Sequence, residues 1–389
     1  MTVWQEVSWD LARSAASKVV KRLGLENIPL KDSLGRTLGN DALALCDLPT
    51  YTTSSMDGWA VAGNGPWKII GDVKAGAPYD KELSEGFALR IATGAVIPQG
   101  TFGVVRWEDA TVEGDNVHGE ASKGKDIRPA GEECRKGEIL LEAGATITPS
   151  AIGLLAASGY DAITVVQRPR VRLLLLGDEL LTDGLPKDGR VRDSLGPQLP
   201  GWLERLGAQV ISINYVTDEL PTVIETLKNS SNCDVIVTTG GTADGPRDHI
   251  HGALDSLKAT FVVDRVRSRP GHPMLLATIP HRGNSIPLVG LPGNPQSAIV
   301  GMMTLCAPLI GSLLSRPEKE LDEVITKDEL AAPANFTRLI LGNLINGEFA
   351  MGDHLGSAML RGLASSTGFA VAEAGVTSVG GQVRWLPLP

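Results

Sequence analysis

Residues 234–248 read Asp-Val-Ile-Val-Thr-Thr-Gly-Gly-Thr-Ala-Asp-Gly-Pro-Arg-Asp, and they place two adjacent glycines between an apolar run and an acidic residue. Residues 235–237 have the texture of a strand buried on both faces. Gly240 and Gly241 allow a sharp turn that presents amide N–H groups to a ligand. Asp248 stands where a helix over 249–258 would begin. A strand, a glycine turn and a helix N-terminus make an anion site; an ordinary connecting loop is the alternative on spacing alone.

Other polar clusters also fall at turns, where rigid elements present functional groups. Asp57 lies between a small-residue turn and a strand in Ser54-Ser55-Met56-Asp57-Gly58-Trp59. Thr93 precedes Gly94, and Arg128 stands among carboxylates in Asp126-Ile127-Arg128-Pro129-Ala130-Gly131-Glu132-Glu133. Glu179 follows one apolar run, Asp218 another, and Gly293-Asn294 a third. Ligands of open α/β sheets bind beyond the carboxyl ends of the strands, so these loops are expected to share an edge. Glu179, Asp218 and Asp248 suit Mg²⁺, which takes a few carboxylates together with phosphate oxygens. Arg267, Arg269 and His272 add cationic donors. No cluster has zinc-ligand spacing, and there is no Gly-x-Ser-x-Gly elbow or Walker A loop.

The elements that must position these residues follow from periodicity. Residues 8–23 carry a helical pattern with Ser8 as N-cap and Gly24 as stop, and 147–159 a second helix. Residues 51–133 are short strands and turns. From residue 171 strands and helices alternate: strands at 171–176, 210–215, 235–239, 260–263 and 286–291, helices at 198–206, 220–228, 249–257 and 296–314. The expected fold is therefore multi-domain α/β plus β. It comprises a three-layer αβα domain with a mostly parallel sheet (167–316), a small β-rich domain (51–133), an extended N-terminal linker domain (1–50 and 134–166), and a C-terminal β-barrel-like domain (317–389). A charged stretch containing Pro317 is the expected link to the last.

Composition limits the function. The chain has 389 residues, too many for one core. Its net charge of −9 argues against non-specific binding to nucleic acid or to an anionic membrane. Cys46, Cys134, Cys233 and Cys306 are widely spaced and form no CxxC, which fits a reducing cytoplasm. No uninterrupted run of about 18 apolar residues marks a membrane span.

The motifs Leu34-Gly35-Arg36, Ser55-Met56-Asp57-Gly58-Trp59-Ala60-Val61, Thr93-Gly94-Ala95, Arg128-x-x-Gly131-Glu132, Gly177-Asp178-Glu179-Leu180, Asp193-Ser194, Gly240-Gly241, Pro270-Gly271, Leu291-Pro292-Gly293-Asn294-Pro295 and Gly356-Ser357 occur in one order along almost the whole chain. Together they resemble the MoeA family of molybdopterin molybdenumtransferases, which includes the E domain of gephyrin. The resemblance implies an elongated homodimer of four-domain subunits. It implies an enzyme that takes adenylylated molybdopterin and molybdate as substrates, uses Mg²⁺, and releases AMP. It implies a site between the α/β domain of one subunit and the small β domain of the other. Asp57, Glu179, Asp218 and Asp248 take the catalytic positions, the last three as metal ligands. Thr93, Arg128, Glu133, Gly240, Gly241, Arg269, His272, Asn294, Arg338 and Ser357 take substrate-binding positions, with Arg338 and Ser357 holding molybdate. Contact with the molybdopterin adenylyltransferase is a further implied partner.

The chain departs from the family pattern in four places. Lys-Pro-Gly-Lys-Pro becomes Arg269-Pro270-Gly271-His272-Pro273, exchanging point charges for a planar fork and a part-time cation. Gly-Gly-Val-Ser becomes Gly240-Gly241-Thr242-Ala243, followed by Asp244. Glu133 stands for an Asp, and Leu175-Leu176 precedes Gly177-Asp178 where hydroxyl residues are usual. These departures motivate one alternative, a non-catalytic paralogue acting as a molybdopterin-binding or scaffold protein; a second is a molybdopterin adenylyltransferase, which shares the α/β domain and the Gly-Gly loop.

Overall fold

The computed structural model describes residues 4–389 other than 244, 246, 247, 282, 283, 317 and 319, so Asp244 and Pro317 lie outside the described residues. The chain forms two compact units, Met1–Glu26 with Gly35–Thr37 and Val165–Pro389, and Asn27–Leu34 with Leu38–Thr164. The first unit therefore holds 167–316 and 317–389 together, and the second holds 51–133 with the residues flanking it.

The first unit is built on a seven-stranded sheet. In chain order its elements are β1 (Trp4–Val7), α1 (Trp9–Lys18), β2 (Arg170–Leu176), α2 (Leu195–Arg205), β3 (Gln209–Val216), α3 (Leu220–Lys228), β4 (Val235–Thr239), α4 (Ile250–Ser256), β5 (Thr260–Val266), β6 (Leu275–His281), β7 (Asn284–Leu291) and the long helical stretch α5 (Pro295–Leu313). The strand order is β1-β5-β6-β7-β4-β2-β3. The run β7-β4-β2-β3 is parallel, as is β1 with β5, whereas β6 is antiparallel to both neighbours. Successive residues of the central strands face opposite layers. Leu173, Val235 and Val237 pack with α1, α2 and α5, while Leu174, Leu176 and Ile236 pack with α3 and α4. Apolar on both sides, these strands read as continuous hydrophobic runs.

Local chemistry sets most boundaries. Ser8 accepts from the Leu11 amide and starts α1. This helix stops at Lys18, short of the residue 23 expected from its periodicity, because its buried stripe Trp9, Ala12, Ala16 is complete there and the β-branched pair Val19-Val20 follows. The Leu23 amide is instead bonded to the carbonyl of Leu313 at the end of α5. Helix α2 begins at Leu195, three residues before the expected start, and carries Pro200 inside it. Helix α5 contains a π segment, Met302–Cys306, two residues before Pro308, whose missing N–H cannot serve the carbonyl four residues back. By length and composition α5 could cross a membrane, yet 83% of its most apolar window is buried in the fold.

The same unit carries a six-stranded sheet in the order Ser268–Arg269, Thr337–Ile345, Gly368–Ala372, Gln382–Pro387, Asp322–Ile325, with Glu348–Met351 paired to Thr337–Ile345. A bridge from Thr326 to Phe349 brings the last strand back to Glu348–Met351 and closes the path. Ser268–Arg269 runs parallel to Thr337–Ile345, which sets Arg269 opposite Arg338.

The second unit is centred on a six-stranded sheet ordered Gly103–Arg106, Gly58–Val61, Phe87–Ile91, Trp67–Val73, Asn116–His118, Thr111–Glu113. Ala60, Leu89 and Ile91 pack on one face, and Trp59, Val61, Trp67 and Val105 on the other. The helix Pro149–Ala157 is capped by the Thr148 hydroxyl.

Candidate functional site

The parallel strands β7, β4, β2 and β3 all point their carboxyl ends at one edge, and there the first unit opens a cleft of about 670 Å³. Glu179 after β2, Asp218 after β3, Gly240 and Gly241 after β4, Asp248 before α4 and Asn294 after β7 all line it. The sheet thus gathers loops that lie far apart in sequence. Gly240 and Gly241 take positive φ, 79° and 67°. A Cβ at Gly240 would sit 2.9 Å from the Leu176 carbonyl oxygen, so any side chain there would push the loop off the end of β2.

Carboxylates outnumber cations around the cleft, whose wall also carries Arg192. Asp178 and Asp218 exchange hydrogen bonds, each backbone amide donating to the other's carboxylate at 3.2–3.3 Å. Burial, and then the charges of Asp178 and Glu179, hold the Asp218 carboxyl above its usual range. Glu179, Asp218 and Asp248 have no Lys or Arg ion-pair partner among the described residues. Asp248 accepts from the Gly245 amide at 2.6 Å and is turned onto its own loop. No three His, Cys, Asp or Glu among the described residues are clustered tightly enough to hold a metal by themselves. Hard, uncompensated oxygens spread around a wide cleft still fit a Mg²⁺ that takes one or two carboxylates and completes its shell with water and phosphate oxygens.

Asp193, also on the cleft wall, is 6% exposed. Its carboxylate accepts from the Leu195 and Gly196 amides at the start of α2, and from the Tyr215 hydroxyl at 2.8 Å. Burial and that carboxylate push the Tyr215 phenol up to about 12. Asp193 is thus a helix-start anchor that fastens β3 to α2.

Beside this cleft lies a cationic pocket of about 380 Å³ lined by Arg269, His272, Asn294, Arg338 and Ser357. All five were candidates from the sequence, and the structure brings them together. Arg269 and Arg338 are cross-strand partners. The Arg269 guanidinium lies 4.9 Å from the Phe336 ring centre, and the His272 ring packs against the same phenyl at 5.6 Å. Arg338 donates to the Ala331 carbonyl at 3.0 Å, which leaves most of its donors available. Neither arginine has an ion-pair partner among the described residues. His272 Nε2 meets Glu6 Oε1 at 3.1 Å, so the N-terminal strand sets an acidic group against this wall.

Asn294 lines both cavities. So does the segment 354–360, through Ser357 on the cationic side and Ala358 and Leu360 on the acidic side. Gln296 holds that segment. It is 2% exposed, and its amide nitrogen Nε2 donates to the carbonyls of His354 (2.7 Å) and Met359 (2.8 Å), while its backbone N–H donates to Ser357 O. Sequence reasoning passed over Gln296; its signal was one long polar side chain opening an otherwise apolar helix. Gln296→Leu removes the donor from two part-buried carbonyls, at about 0.5–1.5 kcal/mol for each hydrogen bond lost. Hydrogen exchange at 354–360 is expected to accelerate by about ten- to a hundredfold while the middle of α5 stays protected; unchanged exchange there would show that Gln296 does not hold the segment.

In the second unit, Asp57 Oδ1 accepts from the Thr93 amide (2.7 Å) and hydroxyl (3.2 Å), joining two of the sequence candidates. Arg128 is not joined to them by a hydrogen bond and pairs with Glu132 at 3.6 Å, both exposed. Glu133 is exposed, with its amide bonded to Leu48 O. Asp126 is the structural member of its motif: Arg106 grips it in two hydrogen bonds and holds its carboxyl below the usual range.

Residues 7–159 match the family model described as MoeA N-terminal region (domain I and II), and residues 172–312 the model described as probable molybdopterin binding domain. A molybdopterin molybdenumtransferase of Staphylococcus aureus (strain COL) is 30% identical over 330 residues, 80% of this chain and 78% of that protein. The Bacillus subtilis (strain 168) protein of the same name is 31% identical over 335 residues, 81% of this chain and 77% of its own length. The crystal structure of a molybdopterin biosynthesis MoeA protein from Pyrococcus horikoshii OT3 shares the fold, with a TM-score of 0.82 at 22% identity over 99% of this chain and 100% of that one.

Proposed function

Because this chain belongs to the MoeA family of molybdopterin molybdenumtransferases, we propose that it inserts molybdenum from molybdate into adenylylated molybdopterin and releases AMP in molybdenum cofactor biosynthesis. The observation that carries the reading is the pair of adjoining cavities, one lined mainly by carboxylates and the other by arginines, that share Asn294 and the segment 354–360. An oxyanion and a phosphate-bearing substrate must meet in this reaction, and the two cavities match those two species.

The residues divide the work. Arg269 and Arg338 offer planar forks that can hold molybdate bidentately. The Ser357 hydroxyl and Asn294 amide supply neutral donors beside them, 3.4 Å apart. His272 adds an imidazole to the same wall, in contact with Glu6. In the acidic cleft the Gly240 amide is spent on the Leu291 carbonyl, which fixes the turn, and the Gly241 amide is the donor offered to the adenylate phosphate, where it stabilises charge that develops as the phosphoanhydride breaks. Glu179, Asp218 and Asp248 would hold Mg²⁺, which when bound neutralises phosphate charge. Asp57, positioned by Thr93, and the exposed Arg128 and Glu133 are the second unit's contribution to substrate handling. The homodimer and a contact with the molybdopterin adenylyltransferase belong to the same reading.

The match over residues 7–159 to the N-terminal region of the family supports molybdenum insertion over the adenylyltransferase alternative. Arg269, which keeps a cation at one of the departures, and Arg338 across from it support it over a non-catalytic scaffold. Expression in cells that lack molybdenum insertion tests this. Restored molybdoenzyme activity at low molybdate is the expected result; failure at both low and high molybdate would leave only the scaffold.

A further inference from the structure

The second unit contains a cleft of about 1130 Å³ whose floor is an aromatic stack. Trp59 and Trp107 are stacked with ring centres 5.4 Å apart and planes 10° from parallel, and the Arg90 guanidinium lies 4.5 Å from the Trp107 ring centre. Trp59 is buried in the sheet and is the cross-strand partner of Arg90. Trp107, by contrast, is 48% exposed. Its backbone N–H donates to the carbonyl of Asp57 at 3.1 Å, which ties the segment carrying the aromatic ring to the Asp57–Thr93 pair. A large aromatic left in water but fixed by stacking is a preorganised platform, and a flat ring landing on it loses little further entropy.

We propose that this cleft binds the pterin ring of the substrate, stacked on Trp107; the ligand's identity rests on the function proposed above, whereas the platform does not. The polar groups around the stack choose among planar rings. Asp57 and Glu108 line the cleft as acceptors. A pterin presents an N–H and an amino group side by side on its 2-amino-4-oxopyrimidine edge, two donors that match the two oxygens of a carboxylate. Adenine presents one donor beside one acceptor on its corresponding edge, and the acceptor faces repulsion. Arg90 has no ion-pair partner among the described residues and can meet a phosphate on the ligand's side chain, whereas Lys74 is already paired with Asp72 at 3.5 Å.

The test uses the whole protein and 6-hydroxymethylpterin, whose own fluorescence reports stacking by quenching. The wild-type protein is expected to quench it saturably, with AMP failing to compete at equal concentration. Trp107→Ala is expected to weaken binding about tenfold or more, the scale of one lost base–aromatic stack, and Trp107→Phe to retain it within a few-fold. Equal affinity in the wild-type and Trp107→Ala proteins, no wild-type quenching at millimolar protein, or displacement by equimolar AMP would each overturn the assignment. Wild-type turnover with molybdate is measured alongside: Trp107-dependent pterin binding in an inactive protein would keep the platform and remove the transferase reading.

Discussion

Asp218→Asn is expected to remove turnover and, at neutral pH, to make the protein more stable. Asp218 is harder to ionise in the fold than in the unfolded chain, through burial first and then the nearby Asp178 and Glu179 carboxylates. A group whose folded pKa is raised contributes stability that is fully present below its unfolded value, about 4, and is lost as pH rises through the higher folded value. At pH 7 the native carboxylate therefore weakens the fold, and asparagine, which cannot ionise, does not. Thermal melting at pH 8 should favour the variant, and the advantage should shrink steadily toward pH 4. Turnover should meanwhile fall by about 10²- to 10³-fold or more, the scale on which removing one preorganised electrostatic group acts. Asp248→Ala should lose turnover on the same scale. An Asp218→Asn protein that keeps near-native turnover would dissolve the assignment of the acidic cleft, and one whose stability advantage over the native protein is smaller at pH 8 than at pH 4 would reverse its electrostatics.

Arg338→Ala is expected to raise the molybdate concentration for half-maximal turnover by about 10- to 100-fold, with kcat at saturating molybdate changed only a few-fold. One charge-assisted hydrogen bond contributes about 1.5–3 kcal/mol, and Arg338 has no competing carboxylate among the described residues to share. Arg269→Ala should act the same way with an added loss of packing, since its guanidinium rests on Phe336. Lysine at either position should recover part of the affinity, because it keeps the charge and loses the fork. A half-saturation constant that is unchanged in both alanine variants would place molybdate elsewhere.

The parts of this protein that a sequence displays are those set by periodicity and turn chemistry. The buried strands β2 and β4, the Gly240-Gly241 turn and the Ser8 cap follow from apolar runs and small residues within a short window. The acidic cleft was legible as a list of loop residues, since β-strand carboxyl ends gather loops at one edge, whereas Arg338 and Ser357 of the cationic pocket came only from the family resemblance. What was not legible depends on distant pairing. The antiparallel β6 escaped notice because an apolar strand reads the same in either direction. The edge strand β1 is only four residues long and is defined by its pairing with β5. Gln296 and Glu6 are ordinary polar residues until tertiary contacts bring Met359 and His272 to them. Trp107 lies unremarked among the short strands and turns of 51–133, and only its stacking with Trp59 and its contact with Arg90 mark it out.

The central claim is that molybdate capture in the cationic pocket is coupled to loss of the adenylate in the acidic cleft beside it. The measurement that tests it most directly is AMP release from adenylylated molybdopterin by the purified protein, with and without molybdate and Mg²⁺. The account predicts one AMP per molybdenum inserted, released only when both are present. AMP release at the same rate without molybdate, or none under any condition, would contradict it.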